Sequence, residues 1–295
     1  MLNRLKENKL DIKNKIMNTE QHLMAFKNYM YYRRYSSNTI KTYSDALEVF
    51  FRFYQNKKLE SLTNEDIIHF NTEYILRKNL SASYQNQVIN AIKLFYRNRF
   101  NRTMEVDFIQ RPRREKRLPN VLSKEEVKAI LEAPTNLKHR AMLSLIYVCG
   151  LRCGELLALE PTHIDSKRNI ILIKNSKGKK DRIVPLSQKI LEMLRTYYKL
   201  HKPKRYLFEG QTTGMPYDKR SLQLVLKQAL NKTKIIKPVT LHWLRHSYAT
   251  HLLENGTDLR YIQEILGHSS SKTTEIYTHV STNSIQRIKS PFDDL

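Results

Sequence analysis

Residues 240–280 read TLHWLRHSYATHLLENGTDLRYIQEILGHSSSKTTEIYTHV and hold the side chains around which the rest of the chain is organised. His242 and Arg245 are three residues apart, so a helix would place them on one face. His268 follows a glycine, and Tyr277 comes nine residues later. Two basic side chains, a third donor from a turn and a phenol predict a phosphate-handling site that needs further parts from elsewhere.

The charge balance predicts an anionic partner. The 295 residues include 52 Lys and Arg against 28 Asp and Glu, a formal net charge of +24. A surplus this large is self-repelling unless an anionic partner uses it, which favours nucleic acid over a membrane surface. The longest apolar run, residues 141–151, is bounded by arginines and is too short to span a bilayer. No signal-peptide pattern opens the chain, so no membrane role is expected.

The cysteines favour a reducing compartment. Cys149 and Cys153 are the only two and lie four residues apart, which suits reduced thiols of a cytosolic protein. A metal site there would lack nearby ligands, so we expect no metal. The predicted location is cytoplasmic and nucleoid-associated.

The first third of the chain predicts an all-α domain over residues 17–105. Apolar residues recur there at helical spacing, no glycine precedes Gly150, and no alternating strand pattern occurs. Four or five helices are expected. Their polar faces are rich in Lys, Arg, Asn, Gln and Tyr, which fits either an ordinary solvated surface or a DNA-contacting one.

A basic linker is predicted over residues 106–119. It contains IQRPRREKRLP, in which two prolines and five basic residues favour an extended segment. The segment could be a plain soluble linker, or it could help two basic domains wrap a duplex as a clamp; we favour the clamp.

Residues 120–295 predict a second domain that is mainly helical with one small antiparallel sheet. Ser123 and Glu126 form a capping-box pattern ahead of a helix. Residues 170–173 and 183–184 are short β-type runs, and NSKGKKDR lies between them with Gly178 to permit a tight turn. A β-hairpin with a lysine-rich tip is therefore expected.

Two further segments carry candidate chemistry. Arg152 follows a buried helix and a glycine, and it could be an ion-pair partner of Glu155 or a phosphate ligand that Glu155 orients. Lys177 at the hairpin tip could be a solubilising turn lysine or the donor of a proton to a leaving alkoxide. Other lysines lie within reach of the same tip: Lys174, Lys179 and Lys180.

The candidates in residues 240–280 are also open to two interpretations. Arg245 offers a planar, charged fork of donors that suits a phosphodiester and could stabilise a pentacoordinate transition state. His242 and His268 could be structural histidines or donors to phosphate. Tyr277 is one of seventeen tyrosines, and a phenol becomes a nucleophile only beside a base or strong positive charge. The remaining histidines of this segment are interpreted as structural or surface residues: His246, His251 and His279.

Four motifs taken together resemble the tyrosine recombinase family, which includes phage integrases and Xer proteins. In chain order they are GLRCGELLAL, SKGKKDRIVPL, LHWLRHSYATHLLENG and LGHSSSKTTEIYTHV, and the similarity spans about residues 19–285. The resemblance implies an N-terminal core-binding (SAM-like) domain and a C-terminal α+β catalytic domain. It implies site-specific recombination through a 3′-phosphotyrosyl intermediate, in DNA integration and excision or in chromosome dimer resolution.

The resemblance also implies roles for the site residues. Arg152, Arg245, His242 and His268 would surround the scissile phosphate, and Tyr277 would attack it. Lys177 would be the general acid, and Glu155 would support Arg152. No metal, nucleotide or other cofactor is implied. The hairpin reads Asn175-Ser176-Lys177-Gly178, whereas a glycine often precedes the lysine in this family.

The implied partner is double-stranded DNA with inverted-repeat sites, held by the two domains as a clamp. Assembly would be a homotetramer on two sites, or a heterotetramer with a paralogous recombinase, working through a Holliday junction with possible DNA-bending accessory proteins. The tail after Tyr277 would dock on a neighbouring subunit. The short stretch ahead of the helical domain favours an Xer or small mobile-element recombinase over the larger integrases.

Two alternatives compete with strand exchange. A type IB topoisomerase shares the chemistry but nicks and religates one duplex, and the size of the chain and its two-domain layout argue against it. A non-catalytic architectural DNA-binding protein of the same fold is the other, and it would not require Tyr277 or Lys177.

Overall fold

The computed structural model describes residues 19–104, 119–174, 181–268 and 270–278. The chain divides into two units, Met1–Lys116 and Arg117–Leu295. The predicted linker falls almost wholly outside the described residues, as do the hairpin tip with Lys177 and the tail from residue 279 onward.

The first unit is helical throughout its described part, and capping residues set several helix ends. Helix α1 covers residues 19–32, and α2 is Ser37–Phe53, α3 is Asn64–Phe70 and α4 is Ala82–Phe100. The side chains of Ser36 and Ser81 accept hydrogen bonds from the first turns of α2 and α4. A π-helical turn, Asn71–Leu76, continues α3. Thr63 and Asp66 form a capping box at the start of α3.

Aromatic side chains fill the core of this unit. Phe26 lies edge-on to Phe95 at 5.6 Å between ring centroids, and Phe50 lies edge-on to Phe70 at 5.1 Å. All four rings are buried. Edge-to-face contacts of this kind add to the burial of apolar area, so these rings hold the helices in a fixed arrangement.

The second unit combines eight helices in its described part with one three-stranded sheet. The helices are α5 (Lys124–Glu132), α6 (Leu137–Val148), α7 (Cys153–Leu157), α8 (Gln188–His201), α9 (Lys219–Asn231), α10 (Leu241–Glu254), α11 (Leu259–Leu266) and α12 (Lys272–Glu275). Ser123 and Glu126 form the predicted capping box at the start of α5. Among the helices of the described ranges, none is long and apolar enough to cross a membrane.

The sheet lies between α7 and α8 in the chain. Strands β1 (Ile164–Asp165), β2 (Ile170–Ile173) and β3 (Arg182–Pro185) are antiparallel in the order β1-β2-β3, with Leu172 opposite Ile183. The predicted hairpin strands correspond to β2 and β3. The fold is therefore mainly helical with a small antiparallel sheet, as the sequence predicts.

Helix α6 lies at the centre of the second unit and positions the site. Its residues Ala141–Ile146 are buried almost completely, and it packs against α8 and α10. Beside α10, a smaller cluster contains Tyr248, Ile262, Leu266 and Tyr277. The end of α6, the start of α7, α10 and the end of α11 therefore meet around the candidate residues.

Candidate active site

Arg152 is the residue directly before α7, and Glu155 lies in the first turn of that helix. The Arg152 backbone N–H donates to Glu155 Oε2 at 2.8 Å, and Arg152 Nη1 donates to Glu155 Oε1 at 2.7 Å. Arg152 Nη2 also donates to the Gly267 carbonyl at 3.1 Å. The predicted ion pair is thus present, and 26% of the Arg152 side chain still faces solvent. The same side chain can therefore be held by Glu155 and reach a ligand.

Glu155 binds a second arginine that sequence reasoning missed. Arg182, the first residue of β3, donates from Nη1 to Glu155 Oε1 at 2.9 Å and from Nη2 to Oε2 at 2.7 Å. Its Nε donates to the Ile265 carbonyl at 2.7 Å. Arg182 shares a strand face with the buried Val184. An arginine at an inward-facing strand position was the clue available in the sequence.

The ion pairs decide the charge state of Glu155. Burial alone would raise the pKa of its carboxyl, but the hydrogen bonds from Arg182 and Arg152 lower that pKa from 4.5 to about 2. Glu155 is therefore ionised at neutral pH, and its charge compensates two neighbouring guanidinium groups.

Arg245 is among the largest fully buried side chains of the described protein, with 1% exposure. Its Nη1 donates to the Gly150 carbonyl, and its Nη2 donates to the Leu266 carbonyl at 2.6 Å. Burial, then the charge of Arg152, lowers the pKa of Arg245 to about 9, so the group stays charged at neutral pH. Its Nε is buried and has no hydrogen-bond partner among the described residues. A buried donor of this kind is available to an anionic ligand.

His268 contacts Arg245 in a way that assigns its tautomer. Arg245 Nη2 lies 3.2 Å from His268 Nε2, and a guanidinium can only donate. Nε2 therefore accepts, and the ring hydrogen sits on Nδ1, which donates to Thr274 Oγ1 at 2.9 Å. Burial and the charges of Arg245 and Arg152 lower the His268 pKa to about 3. In this arrangement His268 accepts from Arg245, whereas the resemblance implies donation to phosphate.

Tyr277 follows α12 and is 1% exposed. Its ring stacks on that of His268, with centroids 6.4 Å apart and planes inclined by 17°. Its hydroxyl lies 2.9 Å from His246 Nδ1. Burial raises the Tyr277 pKa to about 12 against the opposing effect of Arg245 and Arg152. The phenol is thus neutral at physiological pH and needs a base or a bound cation to become a nucleophile.

His242 and His246 form the other side of the cluster. They are four residues apart on α10, and their ring centroids are 4.2 Å apart. The solvent-accessible area of His242 is that of an exposed residue. Desolvation by the surrounding atoms and then the charge of Arg245 nevertheless lower its pKa. His246 is partly buried and its Nδ1 contacts the Tyr277 hydroxyl, so it belongs to this cluster, which the sequence analysis did not predict. Its spacing from His242 was the missed clue.

The structure thus brings six of the seven predicted site residues into one cluster and adds two that were not predicted. The six are Arg152, Glu155, His242, Arg245, His268 and Tyr277, and the additions are Arg182 and His246. Lys177 lies outside the described residues. Within the described ranges, no group of three or more His, Cys, Asp or Glu side chains is placed to hold a metal ion. Chemically, the cluster offers positive charge and buried donors beside a phenol.

Comparison with known proteins agrees with this chemistry. Residues 120–284 match the phage integrase family, and residues 23–105 match the phage integrase N-terminal SAM-like domain. Tyrosine recombinase XerD of Staphylococcus saprophyticus is 34% identical over 274 residues, covering 87% of this chain and 92% of XerD. The chain belongs to the phage integrase family of tyrosine recombinases.

Solved structures agree in fold. The crystal structure of XerA recombinase shares 33% identity and a TM-score of 0.53, covering 92% of this chain and 100% of XerA. XerH, in a post-cleavage complex with a palindromic difH substrate, has a TM-score of 0.75 at 22% identity, covering 97% and 89% of the two chains. The predicted family is confirmed, and with it site-specific recombination by cleavage and religation of DNA.

Proposed function

We propose that this recombinase cleaves DNA through attack of Tyr277 Oη on a scissile phosphodiester, which gives a 3′-phosphotyrosyl intermediate and a free 5′-hydroxyl. The proposal is carried by one observation: Tyr277 shares a single cluster with His268 and Arg245, and Arg152 is fixed to the same loop at Gly267. The charges of Arg152 and Arg245 compensate the phosphate and the charge that develops on it, and His242 donates a hydrogen bond to it. Glu155 holds Arg152 in place.

His268 requires a change of partner to assist the phosphate. Its Nε2 accepts from Arg245 in the structure. A phosphate that takes the Arg245 donors would free Nε2, and protonation of the ring would then turn it into a donor. The negative charge of the phosphate favours that protonation because it opposes the charges of Arg245 and Arg152.

Lys177 is proposed as the general acid for the leaving 5′-oxygen. The hairpin that carries it begins and ends at β2 and β3, and Arg182 at the start of β3 is bound to Glu155 and to the end of α11. This anchoring supports delivery of the hairpin to the site. Like charges close to a lysine make it give up its proton more readily, and Lys179 and Lys180 follow Lys177 in the sequence.

The whole enzyme is proposed to act on inverted-repeat sites in double-stranded DNA. Residues 17–105 and 120–295 form the two halves of a clamp, joined by the basic linker at 106–119. The proposed assembly is a homotetramer on two sites or a heterotetramer with a paralogous recombinase. The tail after Tyr277 is proposed to dock on a neighbouring subunit, and DNA-bending proteins are proposed as accessory partners. The proposed location is the cytoplasm, at the nucleoid, in a mobile element or in chromosome dimer resolution.

A covalent-adduct assay tests this proposal. Inverted-repeat duplexes are first selected from a random pool by binding to the protein, and a nick is then placed beside each candidate cleavage position. Wild type should form a protein–DNA adduct that survives denaturation. Tyr277→Phe should bind the same duplex with unchanged affinity and form no adduct.

The assay also separates the alternative functions. An adduct in Tyr277→Phe would refute the assignment of the nucleophile. Binding without any adduct in wild type would favour an architectural DNA-binding protein. Relaxation of supercoiled DNA without exchange between two sites would favour topoisomerase-like nicking and religation.

A further inference from the structure

A second histidine of α10 contacts the reacting atom of the proposed nucleophile. His246 Nδ1 and Tyr277 Oη are 2.9 Å apart, and the ring centroids are 5.6 Å apart. Tyr277 is almost completely buried, so this contact lies in a region from which bulk water is excluded. The side chain that meets a buried phenol at hydrogen-bond distance is well placed to receive its proton.

We propose that His246 is a catalytic residue that accepts the phenolic proton of Tyr277 during DNA cleavage; this rests on the proposed function of Tyr277. In the neutral tautomer with its hydrogen on Nε2, Nδ1 has the free lone pair that this role requires. As the Tyr277 Oη–P bond forms and the P–O5′ bond breaks, the phenolic proton moves to His246 Nδ1. The leaving 5′-oxygen takes a proton from the general acid, and both transfers reverse during religation.

The electrostatic surroundings keep His246 in the form that can accept a proton. Its neighbours are His242 and Arg245 on α10, His268 after the end of α11, and Tyr277 after α12. Burial, then the nearby His242 and Arg245, lowers the His246 pKa to about 4, so the ring is neutral at physiological pH.

The low basicity of His246 sets the timing of the transfer. A ring of this pKa does not remove the proton from a resting phenol whose pKa is about 12. The phenolic oxygen becomes far more acidic as it bonds to phosphorus, so the proton moves during attack and not before it. The negative charge of a bound phosphate also raises the basicity of the ring.

Two substitutions separate proton acceptance from mere positioning. His246→Ala removes the contact. His246→Asn keeps an acceptor oxygen close to the position of Nδ1 but supplies no base. Single-turnover adduct formation on the nicked duplex should fall about 100-fold in both variants, within the range of general base catalysis. DNA binding by both should match wild type.

The chain offers a matched control on the same helix. His251 Nδ1 lies 2.9 Å from the Tyr147 hydroxyl, and His251 is buried, but Tyr147 is not the proposed nucleophile. His251→Asn therefore removes an equivalent histidine–tyrosine contact from α10. It should keep the adduct rate within about threefold of wild type, which excludes a general effect of such a loss on the helix.

A substrate with sulfur in place of the bridging 5′-oxygen assigns the step. A thiolate leaves without protonation, so this substrate should restore the rate of Lys177→Ala and leave the His246→Ala and His246→Asn defects in place. Full activity of either His246 variant would overturn the proposal. Rescue of both variants by the sulfur-containing substrate would overturn it as well. Failure of wild type to form any adduct would instead refute the function of Tyr277.

Discussion

At the scale of single residues, the site depends on one carboxylate. Glu155 accepts hydrogen bonds from Arg152 and Arg182, and its Oε2 lies 3.8 Å from Arg245 Nη1. Three guanidinium groups this close together repel one another, and the repulsion is strong because the surroundings are largely buried. Removing one partner of a buried pair typically costs about 3–5 kcal/mol, so Glu155 is expected to matter for stability as well as for catalysis.

Glu155→Gln should weaken the acid dependence of stability. The Glu155 pKa is lowered in the folded state, so its stabilising contribution is complete well above pH 4.5 and is lost as the pH falls towards 2. Between pH 7 and pH 3, wild type should lose about 2 kcal/mol more unfolding free energy than Glu155→Gln does. Urea unfolding at both pH values measures the difference.

Glu126→Gln is a matched control for that measurement. Glu126 holds the same capping-box position in α5, but its partner Lys237 is half exposed. Its contribution should be smaller because an exposed ion pair is screened by solvent. Equal acid dependence of wild type and Glu155→Gln would show that the Glu155 pKa is not lowered by its partners.

At the scale of elements, the ends of two helices hold the arginines. The carbonyl of Gly150, which follows α6, accepts from Arg245. At the end of α11, the Ile265 carbonyl accepts from Arg182, the Leu266 carbonyl from Arg245 and the Gly267 carbonyl from Arg152. The last carbonyls of a helix have no partner within it and form the negative end of its dipole. Positive side chains are therefore stabilised there, and the two helix ends set the spacing of the guanidinium groups.

Gly267→Ala should disrupt this arrangement beyond its effect on the backbone. Gly267 has φ +62°, and an added Cβ would lie 2.9 Å from Arg182 Cδ. The substitution therefore carries backbone strain and also pushes Arg182 away from Glu155. We expect a loss of about 2–3 kcal/mol in unfolding free energy and at least a tenfold lower rate of adduct formation.

Gly256→Ala provides the comparison. Gly256 follows α10 with φ +86°, and an added Cβ there meets no atom within 4 Å. It should carry the strain alone, about 1–2 kcal/mol, and keep the wild-type adduct rate once folded. Equal rates in the two folded variants would contradict a role for the end of α11 in holding the arginines.

At the scale of the whole molecule, the surplus of positive charge matches DNA as the substrate. The N-terminal unit contributes a polar face on α4, where Asn90, Lys93 and Arg97 lie at helical spacing and line a cleft with Tyr35 and Tyr43. Asn90 and Arg97 are exposed. Basic and amide side chains beside aromatic rings can contact phosphates and bases, so we expect this face to bind DNA.

Arg97→Ala should weaken DNA binding and reduce its salt dependence. Each phosphate contact releases counterions, so losing one contact should lower the slope of log K against log salt by about 0.9. Arg77→Ala is the control, because Arg77 is exposed, pairs with Glu73 and lies outside the cleft. Titration of a labelled duplex at several salt concentrations gives both slopes. An unchanged slope in Arg97→Ala would exclude a phosphate contact at this residue.

The sequence by itself determined the element types and the family. Helical periodicity and the capping boxes at Thr63 and Ser123 depend on near neighbours in the chain, so local patterns predict them. The spacing of Arg152, His242, Arg245, His268 and Tyr277 identified the family because its motifs preserve their order. The predicted domain boundaries and the role of Lys177 remain predictions.

Only the tertiary structure decided how the site is held together. Arg182 and Glu155 are 27 residues apart, and His246 and Tyr277 are 31 apart, so no local pattern could pair them. The burial of Arg245 and the tautomer of His268 likewise follow from carbonyls that other elements supply. Hydrogen bonds and desolvation act through space, and the chain must fold before they can set the charge of each group.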